Sequence, residues 1–491
     1  MIALWILLIP GFGALLALGA GGVSARAPRT IASLALAIDL VLLFGFWSRH
    51  PGVQPGWTWL AEWSADWIPQ LGIRFALGLD GLSLVLSLMA CASALAALVA
   101  SPLHKSGEGL HSALILATVT GVLGVFLATD LIFFFVCYEV MLLPAYVLIV
   151  RWGSGERQRA AMRFFIFTQA GGLLMFVSIL GLHVAHANIG GERSFDYATL
   201  LSTPLSEPLA MLLLLGFVLA FAMKLPLVPF HTWQAPAYAS APTETAILLS
   251  ALMAKTAGYG LIRFAIPLFP EAAERLAPWA LGFGVLTIVY ASWLAYGQRD
   301  IKRLIAFSSA GHLGYVVLGA FAMNDLGRSG AIIQMFCHGL SVTGLFLIAG
   351  HIEGRRGTRD LDQLGGLWHA APRLGGISLV FVVATLGLPG LGNFVGEFLV
   401  LAGVFQANPA IGAIAALGAV LSAAYSLRLM QRVFLGPRVS AVNTPELPAP
   451  ALAVCAALIA VLLWAGLYPK PLLNAVTPAA VTQSVASGDS R

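Results

Sequence analysis

Residues 224–233 read KLPLVPFHTW, a lysine and two prolines inside a long apolar run. Proline has no amide donor and clashes with the preceding turn, so a helix drawn through this stretch is interrupted. In hydrocarbon, freed carbonyls and a lysine are tolerated only where they face protein or a water-lined cavity. Further along, GLPG at 387–390 is followed by NFVGEF at 393–398, a second interruption. Glu397 is the ionisable group here, as Lys224 is in the first.

The surrounding chain is overwhelmingly apolar. Of its 491 residues, 59% are hydrophobic and only 10% are Asp, Glu, Lys or Arg. A soluble domain carries roughly a quarter charged residues, which excludes a soluble enzyme, a disordered chain and a coiled coil. Its 52 Gly and 26 Pro have no three-residue period, so they are not collagen-like. A spanning helix needs about 20 apolar residues. Such runs lie near 2–20, 31–47, 76–100, 112–129, 131–150, 164–186, 209–239, 244–266, 279–296, 304–323, 330–350, 374–404, 410–433 and 449–468. The expectation is an all-α polytopic membrane protein of about fourteen helices. The run 1–20 lacks a preceding basic residue and a clear cleavage site, so it reads as a retained helix.

The breaks fall in the seventh and twelfth helices, five apart. Because five is odd, two five-helix units would lie in opposite orientations, an inverted repeat of helices 4–8 and 9–13. Broken helices at corresponding places in two halves point to ion or substrate sites. The expected organisation is helices 1–3 in residues 1–111, a first repeat in 112–266, a second in 279–433 and a last helix in 449–468.

Lys and Arg accumulate in cytoplasmic loops. The odd-numbered loops hold sixteen basic residues and the even-numbered loops and termini seven, so both termini should be periplasmic. The even-numbered loop 48–75 carries Trp57, Trp59, Trp63 and Trp67, which suit a headgroup belt better than a catalytic pocket.

Ionisable residues near helix centres carry the functional signal. Each costs roughly 2.5–3.5 kcal/mol on insertion scales, on the order of 10 kcal/mol for four unpaired residues. The four are Glu139 in FFFVCYEVMLLP, Lys224 at the first break, Lys255 in ALMAKTAGYG and Glu397 beyond the second. Lys255 is the central relay candidate, and Glu139 is a partner for a membrane lysine. His231, His312 and His338 are stepping stones, because imidazole accepts and donates protons near neutral pH. Each group also has a plain structural reading as a buried hydrogen-bonding side chain, and Lys224 could instead snorkel to an interface. Thr243 and Glu244 in APTET read as a helix N-terminal cap, His183 and His186 as interfacial, and Asp39 remains unexplained.

No cofactor or metal is implied. The four cysteines form no ligand-spaced set, no GxGxxG opens a strand–helix unit, and the scattered basic residues suggest no nucleic acid. What remains is proton transfer along Glu139, Lys224, Lys255, His312 or His338, and Glu397.

The stretches FFFVCYEVMLLPAY, MKLPLVPFHTWQAPAYASAPTE, SALMAKTAGYGLIRF, KRLIAFSSAGHLGYV, QMFCHGLSVTGLFLIAG and GLPGLGNFVGEFLVL resemble, in order, the antiporter-like membrane subunits of respiratory complex I, the proton-pumping NADH:quinone oxidoreductase. Related subunits occur in multisubunit sodium/proton antiporters and membrane-bound hydrogenases. The resemblance implies fourteen helices with an inverted five-helix repeat, a Glu139–Lys224 pair, a central Lys255 and an outlet at Glu397. Glutamate after the second break resembles the M-type subunits, since L-type and N-type members carry lysine there. The chain also ends too soon after helix fourteen for the L-type's lateral helix. The implied function is proton translocation in the membrane arm, coupled to quinone reduction elsewhere in the complex. The implied partners are the other membrane-arm subunits, with L-type and N-type neighbours on either side, in a bacterial inner membrane. Tyr238 stands where the family often has histidine. A subunit of an antiporter or hydrogenase complex, a standalone cation transporter and a non-pumping spacer remain the alternatives.

The loop charges make a direct prediction. Loop 151–163 has four arginines, whereas 187–208 has one arginine and three acids. Single cysteines placed in each loop are expected to label from outside intact cells only in 187–208. Outside labelling of 151–163 alone reverses the assignment.

Overall fold

Backbone amides in hydrocarbon must be paired within their own segment, so the apolar runs can only be helices. The computed structural model describes residues 1–24, 26–50, 59–104, 106–190, 193–437 and 445–477. Trp57, Lys105, Arg438 and Arg491, counted above, lie outside the described residues.

The first crossings are α1 (Ile2–Ala20), α2 (Ala27–Arg49), α3 (Gly81–Ala100), α4 (Glu108–Leu127), α5 (Leu131–Trp152) and α6 (Arg157–Asn188). The seventh, α7, runs Glu207–Lys224, breaks, and resumes at Gln234–Ser240. Then follow α8 (Thr243–Leu268), α9 (Pro270–Gly297), α10 (Ile301–Phe321) and α11 (Asp325–Arg356). The twelfth, α12, is two short pieces, Pro372–Thr385 and Gly392–Ala407. The last two are α13 (Pro409–Phe434) and α14 (Ala449–Leu467). Thirteen described helices are long and apolar enough to cross a membrane, and the halves of α12 are two shorter apolar helices.

One part of the loop 48–75 departs from expectation. Strands β1 (Ala61–Ile68) and β2 (Ile73–Leu79) pair antiparallel, with an irregularity between Asp66 and Ile68. Residues 76–79, expected to open the third helix, are therefore extended and not helical. A hairpin pairs its own amides where the polar residues Glu62, Ser64, Asp66 and Arg74 can stay in water. Trp59 and Trp63 are also not simply anchors in lipid. Trp59 lies 4.6 Å from the Arg263 guanidinium, and Trp63 packs edge-on against Phe75.

Asp130 caps α5, its Oδ1 accepting the Ile132 and Phe133 amides at 2.9 and 3.0 Å. Its backbone pairs with the segment around Asp196. Asp300 caps α10 in the same way, through the Lys302 and Arg303 amides, and its backbone pairs around Asp360. Burial raises the Asp130 carboxyl above the usual carboxylate range.

The expected APTET cap is not formed. Pro242 occupies the N-cap position of α8 with no side-chain cap bond, and Glu244 turns instead toward Arg29 and His104.

α8, α10 and α11 are wholly enclosed by the other helices, whereas α1, α2 and α14 form the periphery. This arrangement places Lys255, His312 and His338 at the centre of the protein. Two glycines bring the second half of α12 against it. At Gly387, with φ +78°, an added Cβ would stand 2.8 Å from Oε2 of Glu397. At Gly396 it would stand 2.7 Å from the Gln334 amide nitrogen. Gly396→Val must therefore push α12 off α11. It is expected to destabilise the purified chain by about 1–3 kcal/mol. Gly282→Val, where nothing lies within 4 Å of an added Cβ, is expected to leave the thermal unfolding midpoint unchanged.

Candidate functional site

Lys255 lies on α8 with none of its surface exposed. Its Nζ donates to the Ser250 carbonyl at 2.6 Å and lies 2.8 Å from Nδ1 of His338. Around it α8 departs from ideal winding, with wider turns at Leu248–Met253 and Leu261–Ala265. The Ser250 carbonyl that accepts the ammonium lies within the first of these wider turns, a feature frequent at functional sites.

The chain of polar contacts continues inward. The rings of His338 and His312 are 5.2 Å apart between centroids. His312 Nδ1 is 2.9 Å from Oε1 of Glu397, and its Nε2 is 3.1 Å from the Tyr425 hydroxyl. Gln334 Nε2 donates to the same Glu397 oxygen at 3.2 Å. Ser308 donates to Tyr425 at 2.9 Å, and Asn393 donates to Ser341, which bonds the His338 carbonyl. Lys255, His338, His312 and Glu397 are each no more than 5% exposed. Four helices thus contribute one connected array. Both α10 and α11 histidines belong to it, where the sequence left open which one served.

This array suits proton exchange. When Lys255 is charged, Nδ1 of His338 must accept; when it is neutral, the imidazole can hold the proton. His312 beside Glu397 offers the same choice, because proton and charge can reside on either partner. Transfer between the two rings requires a rotation or a bridging water.

Lys224 and Glu139 form a second, separate group. Lys224 ends the first half of α7 and is 2% exposed. Its Nζ donates to the Tyr138 carbonyl at 3.3 Å and sits 3.2 Å from the centroid of the Tyr138 ring. Glu139 is half-buried, packed against Gly172 with Gln169 beside it. No Glu139–Lys224 contact within 4 Å occurs among the described residues. The helical step from Tyr138 to Glu139 turns the ring and carbonyl toward α7 while the carboxylate faces α6. No hydrogen bond or ion pair among the described residues joins this group to the Lys255 array.

His231 stands apart as well. Its ring packs edge-on to Tyr290, and its Nδ1 has no hydrogen-bond partner among the described residues. Tyr238 donates to the Leu249 carbonyl at 3.1 Å, so it braces α8. His183 and His186 bond Ser194 and Thr203 near the end of α6. Asp39 is fully buried, with both carboxylate oxygens unpartnered among the described residues.

Several site residues escaped the sequence reading. Gln334 is four residues before His338 on one helix face, a spacing that could have revealed it. Tyr425 is an aromatic in an apolar helix and gives no such signal. Asp80 and Arg263 form a buried ion pair between the start of α3 and α8.

Broken helices around a buried line of lysine, histidine and glutamate define an antiporter-like membrane protein. A family model described as NADH:quinone oxidoreductase/Mrp antiporter, TM, matches residues 128–422. NADH-quinone oxidoreductase subunit M of Pseudomonas aeruginosa is 43% identical over 488 residues, covering 96% of both chains. That of Escherichia coli (strain K12) is 40% identical, again covering 96% of both. A chain of respiratory complex I from Thermus thermophilus superposes with TM-score 0.88 at 32% identity, covering 98% of each chain. One from the Mrp complex of Dietzia sp. gives TM-score 0.84 at 21% identity and 96% coverage of each, which shows the fold alone. The chain belongs to the NADH:quinone oxidoreductase/Mrp antiporter family of membrane subunits, in its M-type branch.

The geometry singles out Gln334. Gln334→Met conserves volume but removes the hydrogen bond to Glu397. A hydrogen bond to a charged group is worth about 1.5–3 kcal/mol. Proton transfer through the subunit is therefore expected to slow about 10-fold or more, with assembly intact. Proton uptake into vesicles checks this, and an unchanged rate shows that Gln334 only packs.

Proposed function

We propose that the array Lys255–His338–His312–Glu397 carries protons across the second half of this subunit. In this reading the Lys224–Glu139 group loads them on the first half. The chain is a membrane subunit of NADH:quinone oxidoreductase, and the carrying observation for the route is the 2.8 Å contact between Lys255 and His338. A lysine without exposed surface needs a partner able to take its proton, and an imidazole is one. The chain is a multi-pass membrane protein, and the proposed orientation puts both termini in the periplasm. Its role is non-redox, with electron transfer left to other subunits.

The inverted repeat is part of the same proposal. Asp130 and Asp300 cap α5 and α10, five helices apart, with matching backbone bridges to Asp196 and Asp360. The breaks in α7 and α12 stand five apart too. Two half-channels related in this way let one face load while the other releases. Exposed apolar side chains along α6 and α9, including Leu173, Val177, Trp279 and Trp293, suit lateral packing against membrane-arm neighbours, proposed to be the L-type and N-type subunits. A role in an antiporter complex is not favoured. Similarity to subunit M reaches 40–43%, against 21% for the Mrp chain.

Lys255→Ala is expected to remove most of the proton pumping that depends on this subunit while the complex still assembles. Vesicles supplied with NADH, at matched complex content, provide the measurement. Lys255→Arg should fail as well, because arginine keeps the charge and does not release the proton. Normal pumping by the alanine variant sinks the relay and leaves a structural spacer.

A further inference from the structure

Away from the array, a second polar cluster lies where α2, α4 and α8 begin. Arg29 on α2 donates to Glu108 Oε1 at 2.7 Å and to the Ser101 carbonyl at 2.6 Å. Its remaining nitrogen, Nη2, is 3.6 Å from Oε1 of Glu244. His104 Nε2 is 3.5 Å from the same oxygen, and the His104 and His111 rings are 4.0 Å apart between centroids. A donor atom from each of His104, His111 and Glu244 lies within 4.8 Å of the other two.

These donors are poorly satisfied. His111 has no exposed surface, and neither of its ring nitrogens has a hydrogen-bond partner among the described residues. His104 Nε2 and Glu244 Oε1 are buried with only their mutual 3.5 Å approach and the 3.6 Å approach of Arg29, and no closer hydrogen bond among the described residues. Burying such groups unpaired is costly, so the arrangement suits an occupant that accepts several lone pairs at once. The cluster also opens on a cavity of about 650 Å³, lined by His104, Glu244, Trp152, Ser101, Lys302 and Glu353.

We infer that His104, His111 and Glu244 bind a divalent cation of the zinc class. Two imidazoles and a carboxylate are its preferred donors, and three protein ligands plus a water complete a tetrahedron. Ligands at about 2.0–2.2 Å from the ion require the three atoms to close by roughly 1 Å, within reach of side-chain rotation. The cavity supplies the water. Arg29 is the opposing charge, but Glu108 engages it, and two carboxylates against one guanidinium leave the cluster net negative. The donors come from the α3–α4 connection, α4 and α8, so no short sequence motif announces them. A bound ion ties that connection to the start of α8.

The test uses the full chain in lipid nanodiscs, freed of any affinity tag and of metal, titrated with Zn²⁺. One ion per chain is expected, with zinc-edge absorption showing two imidazole ligands. His104→Ala and His111→Ala should each weaken binding by more than about 100-fold, beyond the roughly 10–100-fold of an outer-shell change. His111→Cys keeps a zinc ligand, so it should regain binding and add one sulfur to the edge spectrum. No binding by the unaltered chain overturns the site. So does equal binding by the double variant His104→Ala/His111→Ala, which assigns the ion elsewhere. Loss in His111→Ala without recovery in a normally folded His111→Cys overturns it too.

Discussion

A charged side chain in hydrocarbon loses its hydration and must find compensation inside the protein. The structure is arranged around that constraint at Lys255. Lys255 lies among three fully enclosed helices, and its ammonium meets the Ser250 carbonyl in a widely wound turn and the His338 imidazole on α11. Beyond His338 the ring of His312 lies 5.2 Å away between centroids, and Glu397 at the far end is held by His312 and Gln334. In the proposed route, the contacts that compensate these buried groups are also those a proton would follow, so one set of interactions serves both stability and transfer.

The interrupted helices serve the constraint at both ends. At the first break the Lys224 ammonium takes its acceptor from α5 and not from α7, with Tyr138 offering its carbonyl and ring face. The break before Glu397 lets a short helix half swing in until Gly396 touches the backbone of Gln334. A straight α12 would hold the carboxylate away from α10. Charges nearer the helix ends are treated differently. Lys302 is only 2% exposed and pairs with Glu353, while Arg29 pairs with Glu108. Two of the basic residues that mark loop orientation are thus also buried structural partners.

Much of this was legible in the chain itself, because hydrocarbon permits so few backbone solutions. The crossings, both breaks and the ionisable residues Glu139, Lys224, Lys255 and Glu397 follow from apolar run length and from charges inside those runs. The hairpin at 61–79 was not legible, since its alternation sits next to an apolar helix start and merges with it. Gln334 and Tyr425 escaped notice because neutral polar groups cost little in a sequence and matter only through what they touch. Glu244 was misread as a cap, because a first-turn acid looks the same whether it meets its own helix or a distant arginine.

The chain alone thus determined a many-helix membrane protein with two interruptions and a short roster of buried charges. Hydrophobicity and proline act locally, and local effects can be read along a line. Only the tertiary structure decided that His338 and His312 both join the array while His231 stays outside it. Only packing turned Glu139 toward α6 and gave Lys224 to Tyr138. Those outcomes depend on which helix faces meet, and long-range contact is a property of the folded arrangement rather than of spacing in the sequence.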